Sequence, residues 1–110
     1  MTVDESGVMI EIKNLRKYIS EGRIFATEHA AERFHQRGID ISDVVNAINN
    51  GEIIEQYPND YPYPSCLVLG KSLDGKNLHA VLSDSGTSSK IITAYFPDVD
   101  KWDDDFRIRR

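Results

Sequence analysis

The feature that most constrains the fold is a change of hydrophobic period near residue 51. Before it, apolar residues recur at helical spacing; after it, short runs rich in Ile, Val and Leu alternate with turn residues. This predicts helices at about 11–21, 27–37 and 42–49, and strands at about 52–57, 65–70, 77–83 and 89–96. Helices followed by strands with short connections predict an α+β fold, in which the helices pack on a four-stranded antiparallel sheet in meander order.

The chain of 110 residues is long enough for one domain and too short for two that each bury a core. We expect residues 1–10 to form a flexible N-terminus. Residues 97–110 would form a C-terminal strap that docks Trp102 and Phe106 on the body of the domain. The alternative is that this tail binds a partner.

The charge balance limits the partners that this chain can bind. With 13 Lys and Arg against 18 Asp and Glu, the formal net charge is -5, which argues against a broad basic face for duplex nucleic acid. The charges are unevenly distributed, however. Basic residues are concentrated between Lys13 and Arg37 and aspartates between Asp98 and Asp105, so a local anion site is compatible with the acidic total.

The cysteine content and the apolar runs indicate the compartment. The single cysteine, Cys66, excludes an intramolecular disulfide. The sequence has neither a leader pattern nor the run of ~20 apolar residues that spans a bilayer. We therefore expect a soluble cytoplasmic protein with no membrane partner.

The turns predict a strand register. A two-residue loop at Asp74-Gly75 would place Gly70 opposite His79, and a turn around Gly86 would place His79 opposite Thr93. The face packed against the helices would then be apolar and carry Leu67, Leu69, Leu78, Ala80, Leu82, Ile92, Ala94 and Phe96. The other face would carry Cys66, Val68, His79, Val81, Ser83, Ile91, Thr93 and Tyr95.

The second helix carries a row of basic side chains. His29, Arg33 and Arg37 follow one another at four-residue spacing, and no acid on this helix lies four residues from either arginine. Arginine binds phosphate oxygens with a planar fork, and histidine titrates near neutral pH, so the row is suited to an anion. A solvated helix face whose arginines pair with acids elsewhere would show the same pattern, and composition alone favours it.

His79 is the second candidate. A histidine flanked by apolar residues in a strand can simply fill space and make a hydrogen bond, but the hydroxyls of Thr93 and Tyr95 on the same face favour proton transfer or phosphate orientation. Cys66 and the histidines lack zinc-ligand spacing, so we expect no metal and no cofactor. The Tyr-Pro pairs of residues 57–64 could stack on bases, although such loops are more often stiff surface segments.

Three segments carry a family resemblance: FATEHAAERFHQRGIDISDVVNAINNGEIIEQYPNDYPYPSCLVLG, NLHAVLSD and IITAYFPD. Together they resemble the small bacterial family called domain of unknown function 4258, over about residues 25–102. That family looks related to the fold shared by barnase, RelE-type toxins and other small ribonucleases. In that fold, helices back a four-stranded antiparallel sheet and the RNA site lies on or beside the open face.

The resemblance implies a function for specific residues. The family's recurrent polar residues correspond by position to His29, Arg33, Arg37, His79, Thr93 and Tyr95. A toxin-like, metal-independent endoribonuclease, or an RNA- or nucleotide-binding relative, would use His79 or His29 as base and acid. Arg33 and Arg37 would bind phosphate, and Thr93 and Tyr95 would orient it. The implied partners are RNA and an antitoxin-like protein.

Two other classes of function stay open. The same fold could serve as a catalytically silent protein-interaction module, or as a small metal or anion binder. The position of the histidines separates these classes, because catalysis requires His29, His79 and Arg33 or Arg37 to converge on one cleft. An interaction module would instead expose an apolar patch.

Overall fold

A computed structural model describes residues 9–110 of the chain. The elements in chain order are α1 (Ile12–Ser20), β1 (Ile24–Ala26), α2 (Glu28–Gln36), α3 (Ile41–Asn50), β2 (Glu52–Tyr57), β3 (Ser65–Lys71), β4 (Asn77–Ser83) and β5 (Ser89–Tyr95). The α+β class is confirmed, and β2 to β5 form an antiparallel meander. The sheet nevertheless has five strands in the order β1-β5-β4-β3-β2, and β1 runs parallel to β5, so the prediction of a four-stranded, purely antiparallel sheet is wrong.

The short strand β1 lies between the first two predicted helices, where no strand was expected. It pairs Ile24 with Ser89 and Ala26 with Ile91. Three residues are too few to show an alternating pattern, and their partner strand lies far away in the sequence. The pairing is therefore a tertiary property that no local pattern predicts.

The hydrophobic core lies between the helices and one face of the sheet. The helices contribute Leu15, Tyr18, Phe34, Val44, Ala47 and Ile48, and the strands contribute Cys66, Val68, Leu78, Ala80, Leu82, Ile91 and Ala94. Helix α3 approaches β3 so closely that a Cβ atom on Gly70 would overlap the carbonyl group of Ala47. A glycine at position 70 is what allows this contact.

The turn between β3 and β4 corrects the predicted register. The Ser72 N–H donates to the Lys76 carbonyl at 2.9 Å, and Gly75 adopts a φ of 84°, so the loop has three residues with a left-handed glycine at its end. His79 consequently lies opposite Leu69 and not Gly70. A shift of one residue exchanges the two faces of β3, so Cys66 and Val68, not Leu67 and Leu69, pack against the helices.

The register between β4 and β5 differs from the predicted register by two residues, because His79 lies opposite Tyr95 and not Thr93. A shift of two preserves the face, so His79, Thr93 and Tyr95 do share the face away from the helices. A bulge then interrupts the pairing within β5. Beyond it Ile91 is buried in the core and Ile92 is 44% exposed, the reverse of the predicted arrangement.

The C-terminal strap, residues 97–110, lies against the sheet face that the helices leave open. Trp102 is buried and pairs with Arg109 in an isolated β-bridge. Arg107 forms an ion pair with Glu52, and Arg109 forms one with Glu55. The strap is therefore anchored on β2, at the sheet edge opposite β1.

The flexible N-terminus was predicted for residues 1–10, of which residues 1–8 lie outside the described residues. Ile10, which it included, is buried, and its backbone N–H and carbonyl both bond to the Gln56 side chain, at 3.0 and 2.8 Å. Over residues 9–110, the helices lack the combination of length and apolar content that a bilayer crossing would require.

Candidate functional site

Helix α2 places the basic row at the β5 edge of the sheet. The helix begins at a side-chain cap, because Thr27 Oγ1 accepts the Ala30 N–H at 3.1 Å, and it is followed by Gly38 with a φ of 81°. Phe34 is buried and anchors it to the core. Since β1 ends at Ala26, the rest of the β5 edge is left for α2 to cover.

Arg37 joins the end of α2 to β5. Its Nη1 donates to the Ala94 carbonyl at 2.9 Å and to Thr93 Oγ1 at 3.3 Å. The Ala94 carbonyl lies beyond the residues that β1 pairs with, so the guanidinium satisfies an edge acceptor that the short strand does not reach. This contact fixes the guanidinium beside the Thr93 hydroxyl.

His29 and Arg33 line two adjoining surface depressions, which together form what we call the α2–β5 groove. The first is completed by Thr27, Ala30, Ile92 and Thr93, and the second by Glu32, Gln36 and Arg37. Because both depressions share His29 and Arg33, the surface is continuous. It brings four of the six predicted site residues together.

The three basic side chains of the groove, His29, Arg33 and Arg37, carry no ion pair in the part of the chain that the structure describes. The seven ion pairs found over residues 9–110 leave out His29, Arg33 and Arg37, although Glu32 lies in the same groove. Arginines that merely cover a surface commonly pair with carboxylates, as Arg107 and Arg109 do here. The unpaired row is available to an external anion.

His79 lies in a different environment. It is fully buried, its Nε2–H donates to the Phe106 carbonyl at 2.8 Å, and its Nδ1 lies 3.4 Å from the Tyr95 hydroxyl. The Trp102 ring packs edge-on against the imidazole at 4.5 Å between centroids. Burial lowers the pKa of His79. The hydrogen bond to Phe106 and the charge of Glu55 raise the pKa, but burial has the larger effect, so the pKa lies below its ordinary value.

The structure therefore does not bring His79 and Tyr95 into the groove of His29. Over the described residues, neither lines the two depressions that contain His29. The physical reason is the strap, since Trp102 and the Phe106 carbonyl occupy the space in front of the imidazole. Both ring nitrogens of His79 have protein partners, which is the arrangement of a structural histidine.

A polar cluster under the strap was outside the sequence prediction. Arg109 bonds both Glu55 oxygens at 3.1 Å, Tyr57 donates to the same carboxylate, and the guanidinium lies 4.6 Å from the Trp102 ring centroid. Partial burial raises the pKa of Glu55, but the hydrogen bonds from Arg109 and Tyr57 outweigh it and hold the pKa below its usual value. The two-residue spacing of Arg107 and Arg109 is the available sequence signal, and it is informative only once the strap is placed on β2.

Metal-ligating residues are not gathered at either place. Residues 9–110 contain no group of three or more His, Cys, Asp or Glu side chains that could hold an ion. Cys66 is a buried free thiol, and burial, together with the charge of Asp84, raises its pKa to about 12. The chemistry of the groove is thus that of fixed cations, an imidazole and a hydroxyl.

The family model described as domain of unknown function (DUF4258) matches residues 26–96. The chain belongs to this family. The DUF4258 match runs from the end of β1 to just beyond β5, so it contains the whole groove and His79 and leaves out the strap that covers His79. No curated protein and no solved structure matches the chain. The kinship of DUF4258 with barnase and RelE-type toxins stays a prediction.

Proposed function

We propose that this protein binds single-stranded RNA in the α2–β5 groove, with its phosphates on His29, Arg33 and Arg37. The observation that carries the proposal is the continuous row of basic side chains in the groove, which form no ion pairs within residues 9–110. The Thr93 hydroxyl, held beside Arg37, supplies a further hydrogen-bond donor for a phosphate oxygen.

The spacing of the row favours a single strand. Residues four apart rise by about 6 Å along a helix, so His29, Arg33 and Arg37 form a line about 12 Å long. Successive phosphates of an extended strand can follow such a line. A duplex would require a broader basic face, which the net charge of -5 argues against.

Binding can be tested by fluorescence anisotropy with a labelled single-stranded RNA of about ten nucleotides. Arg33→Gln should weaken binding at least fivefold, because a phosphate contact is lost. Arg33→Lys should weaken it less, since the charge stays but the planar fork is lost. Lys13→Gln on α1 is the matched control, because this exposed lysine lies outside the groove and pairs with Glu11 at the surface.

Two results would count against RNA binding. One is equal weakening by Arg33→Gln and Lys13→Gln, which would show an effect of net charge alone. The other is no binding by the wild-type protein at 50 mM salt. In that case the protein-interaction module becomes the better hypothesis.

Cleavage of the bound RNA is a second candidate function, favoured by the position of His29 in the groove beside Arg33. A histidine there could take the 2′-hydroxyl proton while the 2′-oxygen attacks phosphorus, giving a 2′,3′-cyclic phosphate and a 5′-hydroxyl that takes its proton from water. His29→Ala should then abolish cleavage in EDTA and keep most of the binding. Binding with no cyclic-phosphate product would remove this activity and leave the binding proposal intact.

A further inference from the structure

The β2–β3 connection exposes two aromatic side chains beside the groove. Tyr61 is 95% exposed and Tyr63 is 48% exposed. Over residues 9–110, neither hydroxyl forms a hydrogen bond within the protein. Large exposed aromatics in one loop commonly mark a contact surface.

These tyrosines line a cavity of about 310 Å³. Its other walls come from Asp60 of the same loop, from the start of α2 at Thr27, from Ser83 of β4, and from β5 at Lys90 and Ile92. The volume is at the lower end of the range of about 300–1,000 Å³ typical of small-molecule sites, which is room for one planar ring system and not for a base pair.

The cavity and the groove are one continuous surface. Thr27, Ala30 and Ile92 line both the cavity and the depression that contains His29 and Arg33. A nucleotide with its phosphate on Arg33 would therefore have its base within reach of the cavity. Lys90, which also lines the cavity, offers a cation to the neighbouring phosphate.

We propose that this cavity is a nucleobase subsite, in which a base of the bound single strand stacks on Tyr61 or Tyr63. The inference rests on the proposed RNA binding and adds the part of the substrate that is recognised. The bulge in β5 contributes directly, because it leaves Ile92 44% exposed as an apolar surface between phosphate and base. The substrate class is single-stranded RNA with at least one unpaired, unstacked base.

The test compares two oligomers of equal length, a normal single-stranded RNA and an abasic ribose-phosphate chain. The wild-type protein should bind the abasic chain about five- to hundredfold more weakly, because stacking on an aromatic side chain contributes that much per base. The Tyr61→Ala/Tyr63→Ala variant should bind both oligomers equally. Tyr61→Phe should retain the preference for the RNA, and Phe96→Ala is the control for loss of an exposed aromatic elsewhere.

The outcomes separate this proposal from the one it rests on. If the wild-type protein binds the abasic chain as well as RNA while Arg33→Gln weakens both, the nucleobase subsite is wrong and RNA binding stands. If neither oligomer binds, both proposals are overturned. Fluorescence of a 2-aminopurine base gives a direct readout, since it should be quenched by the wild-type protein and not by the double variant.

Discussion

His79 holds the C-terminal strap to the sheet through an uncharged imidazole. With the proton on Nε2 donated to the Phe106 carbonyl, Nδ1 is left to accept from the Tyr95 hydroxyl. Both polar atoms are thus satisfied inside a space closed by Trp102. A protonated ring would instead direct an N–H at the Tyr95 oxygen and carry a charge into a buried place.

Replacing this ring should cost stability. We expect His79→Ala to lower the free energy of unfolding by about 1–3 kcal/mol, because the Phe106 carbonyl loses its partner in a buried site. His79→Gln should cost less, since an amide can still donate. Urea denaturation measures both, and His29→Ala, a change in the groove and away from the strap, is the control. An unchanged midpoint for His79→Ala together with lost RNA cleavage would restore the catalytic interpretation.

The same burial should make stability depend on pH. Because the pKa of His79 is lowered below its ordinary value of 6.5, the unfolded chain binds more protons than the folded one in that range. Stability is therefore fully present above pH 6.5 and is lost as the pH falls toward the folded pKa. Of the charged groups nearby, Glu55 raises the pKa of His79 and Arg109 lowers it, so their effects oppose each other. Burial raises the pKa of the neighbouring Tyr95, which therefore stays uncharged over this pH range. Between pH 7.5 and 5.5, His79→Gln should lose less stability than the wild-type protein; equal losses would contradict this origin.

The sequence predicts the position of His29 better than the surroundings of His79. His29, Arg33 and Arg37 lie where their spacing predicts, because helical periodicity is a local property. The surroundings of His79 depend on where residues 97–110 fold back, and no local pattern specifies that path. The predicted register between β4 and β5 was wrong by two residues. His79 and Tyr95 still lie on the same face, as predicted, because a shift of two residues does not exchange the faces of a strand.

At the scale of elements, the strap is held by one buried aromatic and two arginine–carboxylate pairs. Trp102 packs on His79 and under Arg109, while Arg107 and Arg109 bond Glu52 and Glu55 of β2. The ion pairs are partly exposed and contribute little each. Most of the binding energy of the strap therefore comes from the indole.

Trp102→Ala should release the strap. We expect a loss of about 3–5 kcal/mol, as for other buried tryptophans, and hydration of His79. In an NMR titration, the pKa of the His79 imidazole should then rise toward 6.5, because burial is the main cause of its lowering. Arg107→Gln, which removes one exposed ion pair, is the control and should leave that pKa in place. A lowered pKa in a folded Trp102→Ala protein would show that the strap does not control it.

The elements also show where the sequence pattern was insufficient. Asp74-Gly75 fits a two-residue turn and equally a three-residue loop that ends on a left-handed glycine, and the structure has the second. The hydrophobic pattern of β3 could not decide, because Cys66 to Leu69 are apolar on both faces and all are buried. Strands buried on both sides carry no alternating signal.

At the scale of the whole molecule, the groove and the anchor of the strap lie toward opposite edges of the sheet. Arg107 and Arg109 anchor the end of the strap on β2, at one edge, whereas the basic row of α2 lies along β5, near the other edge. The net charge of -5 therefore does not describe the groove, where the potential is set by its own side chains within about 10 Å at 0.1 M salt.

The arginines of the groove give a prediction for the salt dependence of RNA binding. Two arginine–phosphate contacts to a single strand predict a slope of log K against log salt of about -1.4. Arg33→Gln should make the slope shallower by about 0.7, whereas Lys13→Gln should leave it unchanged. Anisotropy titrations between 50 and 200 mM salt measure it, and a slope near zero would argue against phosphate binding.

The two walls of the α2–β5 groove come from distant parts of the chain, which has a consequence for how the protein is made. The hairpins of β2 to β5 join neighbouring segments, but Arg37 and Thr93 lie 56 residues apart in the chain. On a ribosome, α2 emerges long before the strand that forms the other wall of the groove. A nascent chain stalled before β5 would thus carry α2 and the β3–β4 hairpin and have no α2–β5 groove, so the groove can form only after translation has passed β5.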